Sequence, residues 1–329
     1  MTTPLGLRAQ LDGARSAAPD QLKALLLVLV VFGHTYAEGV TDDFSKWVIY
    51  GFHMPAFLFL SGYLISAERL ASRSPGQFLS HYARRMLIAW AVVSLAWLAT
   101  FSADSFHSAR RFIRDFVLKP EFHLWYIPAL FVALLLAWAL TRWRLGIAAL
   151  GVIALLGYAA FESPIAGSLP FTGRWDDRYL GYLVFFVLGL AVRNGWLTVP
   201  PAWIRLVALA AGAGLYLTAF WSPGGWRESV GFLVLNLGIG LSIPGLLARL
   251  VTPLGIAGTP LQLIGEYSLW VYLLHPFITR ITQLDEGPWL LRRGWGAVMT
   301  LVILIAAVLV ILLWRRLPFS SAGRSRTTA

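Results

Sequence analysis

Apolar runs of roughly 17 to 25 residues recur along the whole chain, each long enough to cross a bilayer core of about 30 Å. No water reaches backbone groups in hydrocarbon, so such runs fold as helices, and the period-2 alternation of barrel strands is not seen. Hydropathy places about ten spans, at approximately 20–38, 45–66, 82–101, 123–141, 145–161, 178–193, 203–221, 229–248, 262–281 and 295–314. The expected fold is therefore all-α, a polytopic membrane helix bundle. It has an N-terminal tail at 1–19, a transmembrane domain at 20–316 and a C-terminal tail at 317–329. The longest connections, 102–122 and 162–177, are too short for an independent core.

Charge sets the expected orientation. With the N-terminus inside, sixteen of the 27 Lys and Arg residues fall on the inner side against eleven outside, which places both tails in the cytoplasm. A cleavable signal peptide is not expected, because Thr35 and Tyr36 continue the first span. The net charge of +11 fits basic loops at a lipid surface, and no dense basic run interleaves with aromatics as nucleic-acid binding requires. There is no cysteine, which excludes disulfides, thiolate nucleophiles and cysteine metal sites.

Ionisable residues inside apolar spans are costly and mark functional positions. His34 is the first of these, closing the run that begins at Lys23. Eleven residues separate the two, which puts them on nearly the same helix face about 16 Å apart. Lys23 either serves one end of an elongated ligand or snorkels to headgroups. A neutral imidazole at His34 has the basicity to take a proton from a hydroxyl. In the second span, His53 precedes Met54 and Pro55, and the proline is expected to kink or open the helix. His53 then either lines the opening or caps freed carbonyls. Ser61 and Gly62 read as a small-residue packing face. Trp125 and Tyr126 open the fourth span, where an interfacial aromatic belt is the default explanation. Glu266 and His275 bracket the ninth span about half a turn out of phase, so a regular helix does not aim both at one small site. No G-x-S-x-G elbow, H-E-x-x-H pair or Gly-rich phosphate loop occurs, and the scattered histidines give a metal site no support.

Taken in order, these clusters resemble the acyltransferase-3 family of integral membrane acyltransferases, and most closely its fucose 4-O-acetylase-like, surface-polysaccharide O-acetyltransferase branch. The residues that carry the resemblance are Asp20-Gln21-Leu22-Lys23 through Val31-Phe32-Gly33-His34, then Phe52-His53-Met54-Pro55-Ala56-Phe57 with Ser61-Gly62-Tyr63. They continue with Leu124-Trp125-Tyr126, Phe185 to Gly189, and Tyr267 through Pro276. The resemblance implies transfer of an acyl group, usually acetyl from cytoplasmic acetyl-CoA, to a hydroxyl of a sugar or other acceptor. No permanently bound cofactor is implied. The family pairs an arginine with the first-span histidine; here Lys23 keeps the charge but lacks the planar fork. Its third-span arginine pair is represented by Arg84 and Arg85, with Leu87 and Ile88 where a second arginine would fall.

On this resemblance His34 is the base or acyl relay, with His53 beside it in the catalytic set. Lys23, Arg84 and Arg85 hold the CoA phosphates, and Trp125, Tyr126, Glu266 and His275 meet the acceptor. The expected partners are acyl-CoA, a carbohydrate or glycolipid acceptor and membrane lipid, with no nucleic acid, in a bacterial inner membrane. The rival reading is a proton-coupled transporter or glycolipid flippase, which intramembrane histidines also suit. Against it stands the lack of repeated halves with matching broken spans.

Overall fold

The computed structural model describes residues 17–170, 172–251, 259–284 and 286–316. The expected C-terminal tail and residues 1–16 of the N-terminal one lie outside the described residues. Every expected span coincides with helix, and among the described residues the only strand-like pairing is an isolated bridge between Tyr36 and Leu284. Four helices are long and apolar enough to cross a membrane, Pro75–Phe101, Ala202–Ala219, Trp226–Arg249 and Trp289–Arg315, and two shorter apolar ones are Tyr126–Leu140 and Gly146–Phe161.

Three expected spans are interrupted. The second divides into Phe44–Tyr50 and His53–Tyr63, the sixth into Arg178–Gly181 and Leu183–Asn194, and the ninth into Pro260–Glu266 and Ser268–Thr282. Pro55 does not kink a continuous helix as expected. It occupies the first turn of His53–Tyr63, where backbone N–H groups have no intrahelical partner to lose.

The chain forms two compact units, residues 40–246 and the discontinuous pair 1–39 with 247–329. In the first unit, His53–Tyr63 lies against Leu183–Asn194 at backbone contact distance. A Cβ placed on Gly62 would fall 2.0 Å from the Phe186 carbonyl oxygen, and one on Gly189 would fall 2.0 Å from that of Phe59. Only glycine at both positions permits this approach. It is the small-residue packing that sustains helix association where lipid removes the hydrophobic drive.

The same unit has two distinct ends. At one, Asn194 donates to the Ile65 carbonyl (3.2 Å) and accepts from the Ala67 amide (2.9 Å), while the Trp138 indole donates to the Arg73 carbonyl (3.0 Å). At the other, Trp47 stacks on Tyr216 with centroids 4.8 Å apart, and the Tyr158 hydroxyl donates to the Ser229 carbonyl (2.6 Å).

In the discontinuous unit, Ala18–His34 packs against Pro260–Glu266, Ser268–Thr282 and Trp289–Arg316. Residues just beyond His34 are tied down by the late part of the chain. Arg292 and Arg293 pair with Glu38 at 3.1 and 3.3 Å, and the Arg293 guanidinium lies 3.8 Å from the Tyr36 ring centroid.

Candidate functional site

His34 closes its helix, with Thr35 as the C-terminal cap. The Thr35 hydroxyl donates to the Phe32 carbonyl (2.8 Å), and the Gln283 amide donates to the His34 carbonyl (3.1 Å). The imidazole is buried and faces that of His275, with ring centroids 5.4 Å apart. His275 is itself buried, and its Nδ1–H donates to the Val271 carbonyl (3.1 Å), which leaves Nε2 with the lone pair. Two histidines from opposite ends of the sequence thus meet ring to ring in this unit.

The remaining expected residues of the unit fall elsewhere. The Lys23 ammonium is held by the Asp20 carboxylate at 2.9 Å, on the same helix as His34 but several turns away. Glu266 pairs with the Arg315 guanidinium (2.5 Å), which also donates to the Tyr267 hydroxyl (3.3 Å). Glu266 and His275 therefore point to different partners, in keeping with their phase, and the helix break at Tyr267 does not bring them together.

In the unit of residues 40–246, the His53 ring is buried, and its Nδ1–H donates to the Ile49 carbonyl (2.7 Å). The ring thus adds a second donor to the Ile49 carbonyl, which also accepts from the Phe52 amide (3.3 Å) at the break. Trp125 and Tyr126 are buried inside the unit, away from any lipid-facing belt. The Arg178 guanidinium covers the Trp125 ring at 4.2 Å, and the Tyr126 hydroxyl shares a hydrogen bond with Ser61 (2.9 Å).

Arg84 and Arg85 lie in a π-helical turn, Ala83–Leu87, inside the long Pro75–Phe101 helix. Such turns displace side chains from the regular α-helical stripe and recur at functional sites. Both arginines line an open surface depression of about 790 Å³ together with Arg73, Gly76, Gln77, Ser80 and His81. Its lining has three arginines and no carboxylate, an electrostatic character that selects a polyanion. Arg73 and His81 escaped the sequence reading. Their signal was the density of basic residues over Arg73 to Arg85, with Arg73 before the capping box of Ser74 and Gln77 and His81, Arg84 and Arg85 after it.

Four helices of spanning length and apolar composition define an integral membrane protein of the helical-bundle class. Residues 16–314 match the acyltransferase domain of the acyltransferase-3 family, nearly the whole chain, and the protein belongs to this family of membrane acyltransferases. No curated protein and no solved structure matches it.

Proposed function

We propose that the protein moves an acetyl group, or a similar small acyl group, from acyl-CoA to a hydroxyl of a cell-envelope glycan, in the manner of the surface-polysaccharide O-acetyltransferase branch. The observation that carries this reading is the open, arginine-lined surface depression at Arg73, Arg84 and Arg85. The phosphates of CoA are matched by guanidinium forks, which bind phosphate bidentately, while a sugar or a transported cation gains nothing there. The same depression favours the enzyme over a proton-coupled transporter. With about ten spans and an inward N-terminus, it opens to the cytoplasm of a bacterial inner membrane, where acyl-CoA is made.

His34 acts as the general base. Its imidazole takes the proton of the acceptor hydroxyl as the oxygen attacks the thioester carbonyl, and the tetrahedral intermediate expels CoA thiolate. The imidazolium then returns the proton to the thiolate, leaving an ester, free thiol and neutral histidine. His275, buried against His34, supplies a polar face that supports the transient imidazolium. Lys23 contributes positive charge to the donor side only by leaving Asp20. His53 orients the short second-span helix through Ile49, and Trp125 and Tyr126 serve the acceptor, while Glu266, held by Arg315, takes no part.

Replacement of both Arg84 and Arg85 by alanine tests the donor assignment. Each lost arginine–phosphate contact costs about 1.5–3 kcal/mol, so acetyl-CoA affinity falls at least tenfold per arginine in titration calorimetry of the detergent-purified protein. Unchanged affinity in the double variant contradicts the assignment.

A further inference from the structure

A second cavity, about 320 Å³, lies at the other end of the 40–246 unit. Its wall carries Glu162 and Glu228 together with the rings of Trp47, Tyr50, Tyr158, Tyr182 and Tyr216, and no basic residue. The helix ends explain the arrangement. Glu162 caps the C-terminus of Arg144–Phe161, and its side chain lies over the bare backbone of Gly181, where a Cβ would fall 2.4 Å from Oε1. Glu228 sits in the first turn of Trp226–Val251 and accepts from the Gly224 amide (2.5 Å), so the Ser222–Gly225 turn holds it in place.

The basic groups nearby are engaged. Arg178 makes a bidentate pair with Asp176 (2.6 and 2.7 Å), and the Lys46 ammonium lies 5.9 Å from the Tyr50 ring centroid. Burial pushes the Glu162 carboxyl up to about 8. Arg178 opposes that shift, and Asp177, Asp176 and Glu228 add to it. A cation entering the cavity favours the ionised carboxylate, which offsets the burial penalty and lets the cation displace the proton.

We infer that this cavity binds one amino-sugar unit of the acceptor, its ammonium between Glu162 and Glu228 and its ring against the tyrosines and Trp47. The inference rests on the acyltransferase reading above and names the class of its acceptor. Three observations select this ligand. Paired carboxylates without a basic partner in the wall select a positive charge. Ring faces add cation–π attraction and cover the apolar face of a pyranose. The volume, at the small end of the roughly 300–1,000 Å³ range of ligand pockets, suits one sugar unit and exceeds the need of a simple ammonium ion. Thr41 and Ser229 in the wall offer hydroxyls to the sugar's own.

The test is calorimetric titration of the detergent-purified full chain at pH 7 with glucosamine, glucose, N-acetylglucosamine and ethanolamine, with acetyl-CoA titrated separately. The expected result is that glucosamine binds about tenfold or more tighter than each of the other three small probes, and that E162Q and E228Q each weaken it about tenfold. Glucose binding as tightly as glucosamine overturns the inference, because charge then plays no part. Ethanolamine binding as tightly overturns the sugar assignment. Wild-type protein that binds acetyl-CoA and none of the four small probes overturns the cavity inference and leaves the donor reading standing. Glucosamine binding without acetyl-CoA binding does the reverse. The probe series on wild-type protein keeps the inference open to refutation should a glutamate variant fail to fold.

Discussion

At the residue scale, burial decides what each ionisable group can do. His34 and His275 are both buried, and their rings meet although they come from the first and ninth spans. Sequence reading found both, because an imidazole inside an aliphatic run is conspicuous, but it counted the histidines as scattered. Nothing local encodes a contact between opposite ends of a chain. Glu162 gives a pH prediction with a definite sign. Its folded pKa of about 8 stands above the ordinary 4.5, so between these values the folded state holds a proton that the unfolded state has released. Stability contributed by this group is therefore greatest below about pH 4.5, falls as pH rises toward 8, and is constant above it. E162Q should flatten this part of the profile, and thermal unfolding of both proteins across pH 5 to 9 checks it; parallel profiles would contradict the assignment.

At the element scale, helix breaks place more of the chemistry than helix middles do. At the break at Gly51 and Phe52 the His53 ring adds a hydrogen bond to the Ile49 carbonyl, and the π-helical turn at Ala83–Leu87 carries Arg84 and Arg85 at the open basic depression. Hydropathy made most helix ends legible to within a few residues, although the third helix begins at Pro75 and not 82, and the last at Trp289 and not 295. It did not register the divisions at Tyr182 and Tyr267, because apolar character continues across them while the backbone turns. The packing face at Gly62 was legible from its small residues, yet its partner Gly189 became evident only with the helices in place. That contact carries a stability prediction. Gly189→Ala puts a methyl group 2.0 Å from the Phe59 carbonyl oxygen, forcing the helices apart at a cost of about 1–3 kcal/mol. Thermal unfolding in detergent should drop by several degrees, and an unchanged midpoint would show that the two helices separate freely.

At the scale of the whole molecule, the class of fold follows directly from recurring apolar runs, and the family match over residues 16–314 assigns the enzyme class. The candidate site was less legible. His34, Arg84 and Arg85 stand out individually as charges in or beside apolar spans, whereas nothing local marks Glu38, Arg292 and Arg293 as partners. Their ion pairs join the segment after the first helix to the start of the last, and this closure holds the chain just beyond His34. The acidic cavity went unnoticed for a similar reason, since Glu162 and Glu228 sit at helix ends far apart in sequence. The central claim is that His34 performs the chemical step of acyl transfer, and acetyl-CoA turnover by wild-type protein beside His34→Ala tests it most directly. Loss of a general base costs about 10²- to 10⁴-fold in rate, so the variant should bind acetyl-CoA with wild-type affinity while turnover falls by that factor. A folded His34→Ala protein that turns over acetyl-CoA at the wild-type rate would contradict the account.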